Sequence, residues 1–167
     1  MAAVALVAAF TDIRARIIPN WLVVTGLVAG FGLNTLLYGW QGLGASALGF
    51  GLALLIYVPL FILRAMGGGD VKLMAAIGCM VGPRNWFEIF IYASVAGGIY
   101  AMFLVTARNS GGGVFWNMWH IVKELVRLRL PFKTKPELDI GHNKALSVPH
   151  AVAIAAGAFL FLYIQRA

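Results

Sequence analysis

The 167 residues are 61% hydrophobic and only 11% charged, with a mean hydropathy of +0.86. A soluble domain carries about a quarter charged residues, so the composition excludes that class and indicates a one-domain polytopic membrane protein. The net charge of +7 is better explained by membrane orientation and anionic lipid than by nucleic acid. The single cysteine, Cys79, permits neither an intramolecular disulfide nor a Cys-x-x-Cys zinc site.

The fold class these residues predict is all-α, with six transmembrane helices. Met1 to Phe10 is apolar but short and lacks the basic start of a signal peptide. The first helix is therefore expected to be truncated at its N-terminus. Further apolar runs cover Ile17–Tyr38, Leu43–Leu63, Val71–Gly82, Trp86–Ala107 and Leu146–Ile164. The first and fourth runs are too short to span as straight helices; the other four are long enough.

Basic residues assign the sides. Arg14, Arg16, Arg64, Lys72 and the seven basic residues from Arg108 to Lys144 fall on one side, against Arg84 and Arg166 on the other. The positive-inside rule makes the first side cytoplasmic and both termini periplasmic. Within the loop spanning 108–145, Val114 to Leu130 interleaves Asn117, His120, Glu124 and Arg127 with apolar residues at helical spacing. This predicts a cytoplasmic amphipathic helix on the inner leaflet, anchoring to lipid rather than guiding substrate. His120 and His142 lack metal-ligand spacing and read as solvated loop residues.

Of the six acidic residues, only Asp12 and Asp70 abut membrane runs on the cytoplasmic side. Asp70 follows Gly67, Gly68 and Gly69, and precedes Val71-Lys72-Leu73. Val71 to Gly82 covers about 18 Å as a helix, against roughly 30 Å of hydrocarbon. Asp70 is thus expected below the inner surface, with the glycines entering as irregular backbone beside a wet cavity. Such backbone would also admit an extended substrate closely. Two carboxylates in one cavity suit aspartyl peptide hydrolysis, because neighbouring like charges share a proton. Acidic residues in the membrane equally suit a proton-coupled transporter. In a non-catalytic assembly protein they would simply serve as a helix-end residue and an N-cap. The residues alone leave all three readings open.

Gly67-Gly68-Gly69-Asp70 resembles the Gly-x-Gly-Asp motif of intramembrane aspartyl proteases, and Val71-Lys72-Leu73 narrows the resemblance to the type IV prepilin peptidases. Asp12 to Asn20, ending in Ile18-Pro19-Asn20, is similar to that family's first catalytic segment. Pro149 to Ala156 resembles the start of its last helix. The resemblance implies an aspartyl endopeptidase of the bacterial inner membrane, removing the basic leader of prepilins or pseudopilins at the cytoplasmic face. It implies Asp12 and Asp70 as catalytic residues, and no metal or other cofactor. Gly67, Gly68, Gly69, Lys72, Pro19 and Asn20 carry over as motif or substrate-approach positions. The chain has neither the length nor the cysteines of the bifunctional members, so it resembles the short, peptidase-only branch of Flp/Tad-type pili. No N-methyltransferase activity is expected. His150 stands where many members have tyrosine and reads as a core or interface histidine.

Overall fold

The computed structural model describes residues 1–63, 66–107 and 150–166, with the backbone alone for 104–107. These residues form four helices: α1 (Ala2–Ala15), α2 (Asn20–Ile62), α3 (Gly68–Ala107) and α4 (His150–Arg166). There is no strand among them. The loop of 108–145, its expected amphipathic helix, and Pro149 lie outside the described residues.

Two of the helices are broken, each at a glycine. Gly39 adopts φ 60° and ψ −140°, and Gly82 adopts φ 78° and ψ 173°. A Cβ disfavours both conformations. Pro83 directly follows Gly82; its missing N–H and fixed φ suit the first turn of a new helical arm. Side-chain contacts show that each helix doubles back. In α2, Asn34 Nδ2 donates to Ser46 Oγ at 2.8 Å, and Ser46 Oγ donates to the Gly30 carbonyl at 3.3 Å. In α3, Trp86 Nε1 donates to the Met74 carbonyl at 3.0 Å. The described chain thus forms six helical arms, one for each apolar run.

The arms pack through small residues. A Cβ on Gly49 would collide with the backbone of Gly78, and a Cβ on Gly78 with that of Gly49. Backbones that close require glycine on both sides, as at helix–helix contacts in lipid. α1 packs chiefly against α4, α2 against α3, and α3 also against α4. Alanines 5, 8, 53, 76, 151 and 158 are completely buried, whereas Leu36, Trp40, Leu55 and Met102 are each more than two-thirds exposed. Leu73, Met74, Ile77, Trp86 and Ile89 are buried with these alanines, and an exposed apolar surface of this extent calls for lipid. Asn20–Ile62 and Gly68–Phe103 are long and apolar enough to cross a membrane; α4 is apolar but shorter.

Three local features differ from the sequence reading. α1 runs through Asp12 to Ala15 and ends on Arg16 in the left-handed conformation (φ 53°), whose N–H donates to the Asp12 carbonyl at 2.9 Å. Asp12 therefore sits inside the last turn rather than beyond the helix. Ile17 and Ile18 lie outside any helix, and α2 starts at Asn20 with Pro19 as its N-cap. Gly68 and Gly69 are helical rather than irregular, because the Gly67 carbonyl accepts the N–H groups of Asp70 (3.2 Å) and Val71 (3.5 Å) and closes the first turn around them.

Candidate active site

Asp70 occupies the first turn of α3 and is only 9% exposed, one of two buried polar or charged residues among those described. The other, Ser46, belongs to the hydrogen-bonded hairpin of α2. A buried charged group in an apolar bundle needs partners, and three titratable residues lie within electrostatic reach of Asp70. They are His150 at the start of α4, Asp12 in α1 and Tyr57 in α2.

α4 ties the two acidic segments together. The Ala151 N–H donates to Asp12 Oδ2 at 3.2 Å. That N–H lies in the first turn of the helix, where backbone donors have no intrahelical acceptor, and the positive end of the helix dipole favours a carboxylate there. Asp12 is thus held from a segment 139 positions away in the chain. The burial of Ala5 and Ala8 anchors α1 further. The preceding residue, His150, lies within electrostatic reach of Asp70.

Tyr57 approaches Asp70 from a rigid platform. Its ring lies edge-on to Trp86 (centroids 6.1 Å apart, planes at 73°) and to Phe90 (5.9 Å, 78°), and Trp86 and Phe90 stack on each other at 5.6 Å. Both edge-on pairs have the geometry that aromatic quadrupoles favour. Tyr57 is 3% exposed. Beside it opens a cavity of about 210 Å³, lined among others by Met66, Ser94, Gly97, His150 and Ala153.

The remaining sequence-derived positions fall into two groups. Lys72 and Asn20 come together: Lys72 Nζ donates to Asn20 Oδ1 at 3.1 Å on the exposed rim, with Pro19 beside it as the α2 N-cap. Gly68 and Gly69 instead meet the protein itself. A Cβ on Gly69 would lie 3.3 Å from Ile18, and one on Gly68 3.3 Å from Phe61. Gly67 is exposed, and a Cβ there would lie 3.4 Å from Asp70 Oδ2. Sequence reasoning missed Tyr57, since an aromatic in an apolar run carries no mark of its neighbours. It also missed the Ala151 N–H, which as a backbone donor leaves no trace in residue type. His150 is half-buried at the start of α4, within electrostatic reach of Asp70.

The described residues form a helical bundle with the composition and surface of an integral membrane protein, in which Asp12 meets the first turn of α4 and Asp70 is buried in the first turn of α3. The chain belongs to the type IV leader peptidase family, whose model matches residues 1–102. That stretch contains both aspartates and the Lys72–Asn20 contact. A prepilin leader peptidase/N-methyltransferase of Bacillus subtilis (strain 168) is 32% identical to the chain over 108 residues. The aligned stretch is 62% of this chain and 42% of that relative, so the match spans less than half of the relative's length. No solved structure matches the chain.

Proposed function

We propose that this chain is an aspartyl endopeptidase that removes the leader peptide of prepilins or pseudopilins, with Asp12 and Asp70 as the catalytic pair. The observation that supports this reading is that Asp12 accepts a hydrogen bond from the Ala151 N–H at 3.2 Å, while Asp70 is buried in the first turn of α3 and within electrostatic reach of Asp12. The family membership supports the substrate class.

In the proposed reaction the ionised aspartate takes a proton from a water molecule as the water oxygen attacks the scissile carbonyl carbon. The protonated aspartate gives its proton to the carbonyl oxygen, forming a neutral gem-diol. When the C–N bond breaks, the amine leaves with the proton first taken from water, and one diol proton returns to the other aspartate. The pair thus recovers its single shared proton. The reaction needs no metal or other cofactor.

The whole chain, 1–167, acts as a single peptidase domain in the bacterial inner membrane. Six passes leave both termini periplasmic and the 108–145 loop cytoplasmic, as the basic residues argue. The exposed Gly67 lies where substrate backbone approaches the pair, and no N-methyltransferase step belongs to this chain.

The test is leader removal from a prepilin by the protein reconstituted in lipid, compared with Asp12→Asn and Asp70→Asn. Each variant is expected to lose at least about a thousandfold in kcat while keeping the wild-type melting profile. Full processing by either variant overturns the two-aspartate mechanism. A folded wild type that cleaves no prepilin overturns the peptidase reading.

A further inference from the structure

We infer that the cavity between α4 and the second arm of α3 is a specificity site, taking the apolar side chain of the substrate residue that follows the scissile bond. This rests on the peptidase reading above and names what that site selects. Two contacts set the cavity beside both carboxylates. Met66 forms part of its wall, and the next residue, Gly67, lies so near Asp70 that a Cβ on it would be 3.4 Å from Asp70 Oδ2. His150 forms another part, and the N–H of the next residue, Ala151, donates to Asp12 Oδ2 at 3.2 Å. Consecutive Cα atoms are about 3.8 Å apart, so the wall stands one residue from a contact to each carboxylate.

Size and lining define the occupant. An apolar cavity of about 150 Å³ admits a benzene ring. This one, of about 210 Å³, has room for one leucine, methionine or phenylalanine side chain and none for a helix. Gly97, Ala101 and Ala153 leave that space open, since they bring to the wall a hydrogen or a methyl group at most. The Ser94 hydroxyl is spent on its own helix, donating to the Phe90 carbonyl at 2.7 Å. Tyr57, edge-on to Trp86 and Phe90, gives one wall a fixed position. Gly97, Ala101 and Ala153 are half-buried and Ser94 is exposed, so the cavity opens on the apolar surface of the bundle, where a side chain enters from the lipid side. A basic leader is ill suited to it, because an ammonium or guanidinium buried here would lose its water without gaining a counter-charge. The residue after the bond is the one whose side chain fits.

The experiment sets the wild type, reconstituted in lipid, against prepilins carrying alanine, leucine or phenylalanine after the scissile bond, and against a second set with the same three residues before it. The wild type is expected to favour leucine or phenylalanine over alanine after the bond by at least about tenfold in kcat/KM. Ala153→Leu and Ala101→Leu put three more carbons into the cavity, from α4 and from α3. Each is expected to reduce that ratio at least about tenfold. An unchanged ratio in both folded variants overturns the inference, and the cavity then takes a lipid tail or nothing.

The wild-type series decides even where neither variant folds. Equal cleavage of the alanine, leucine and phenylalanine substrates, or selection before the bond instead of after it, overturns the inference and leaves the peptidase reading intact. A folded wild type that cleaves no prepilin overturns the peptidase reading and this inference together.

Discussion

Lys72 Nζ donates to Asn20 Oδ1 at 3.1 Å across 52 positions of sequence, joining the start of α3 to the start of α2 on the same rim as the acidic pair. Asp70 precedes Lys72 by two residues, so it faces elsewhere on the same turn. The contact fixes the height of the first turn of α3 relative to α2. Both side chains are exposed, so the bond competes with water and its worth is modest. A double-mutant cycle with Lys72→Met and Asn20→Ala is expected to give a coupling energy of about 0.5–1 kcal/mol in detergent unfolding. Coupling indistinguishable from zero in both stability and cleavage rate would remove any role for the contact.

Gly69 and Ile18 form the tightest test of the site's packing. A Cβ on Gly69 lies 3.3 Å from Ile18, and Ile18 is itself buried. Gly69→Ala therefore makes Ile18 shift by a few tenths of an ångström, while Gly69→Val displaces it outright. Overpacking of this kind costs about 1–3 kcal/mol. Gly69→Val is expected to lower the melting temperature and cleavage together, and Ile18→Ala in the same chain to restore part of both. If Ile18→Ala deepens the defect instead, the glycine serves a purpose other than making room for Ile18.

Asn34 governs the opposite end of the bundle. Its Nδ2 donates to Ser46 Oγ at 2.8 Å and approaches the carbonyls of Cys79 (3.1 Å) and Met80 (3.3 Å), bridging the α2 hairpin to the first arm of α3. Hydrogen bonds between helices in a membrane contribute roughly 0.6–2 kcal/mol. Asn34→Leu is expected to destabilise the protein by about that much while leaving kcat within a few-fold, because the bond lies far along α3 from Asp70. A collapse of kcat without loss of stability would show that this end of the bundle controls the site directly.

The six apolar runs, the two breaks and the acidic candidates were legible because each depends on residue type along the chain. Uninterrupted apolar stretches dictate helices whose backbone groups are satisfied internally, and Gly82-Pro83 marks a break that no other pair encodes so clearly. The end of the first apolar run rested on counting apolar residues. Asp12 lies beyond that count, which ended at Phe10, yet the backbone stays helical to Ala15, because one carboxylate at a helix end costs little when an N–H meets it. The irregular backbone expected at Gly67–Gly69 shrank to Gly67 for a similar reason. Glycine permits many conformations, and the hydrogen bonds to the Gly67 carbonyl chose the helical one.

By itself, then, the sequence determined that this chain is an all-helical membrane-type protein with two carboxylates at one end and the motifs of a leader peptidase. Hydropathy and motif spacing are properties of single segments. Only the tertiary structure decided what surrounds those carboxylates: the Ala151 N–H on Asp12, and His150 and Tyr57 beside Asp70. Such contacts join α1 to α4 and α3 to α2 and α4. They arise from how helices of small residues close on one another, which no single segment records.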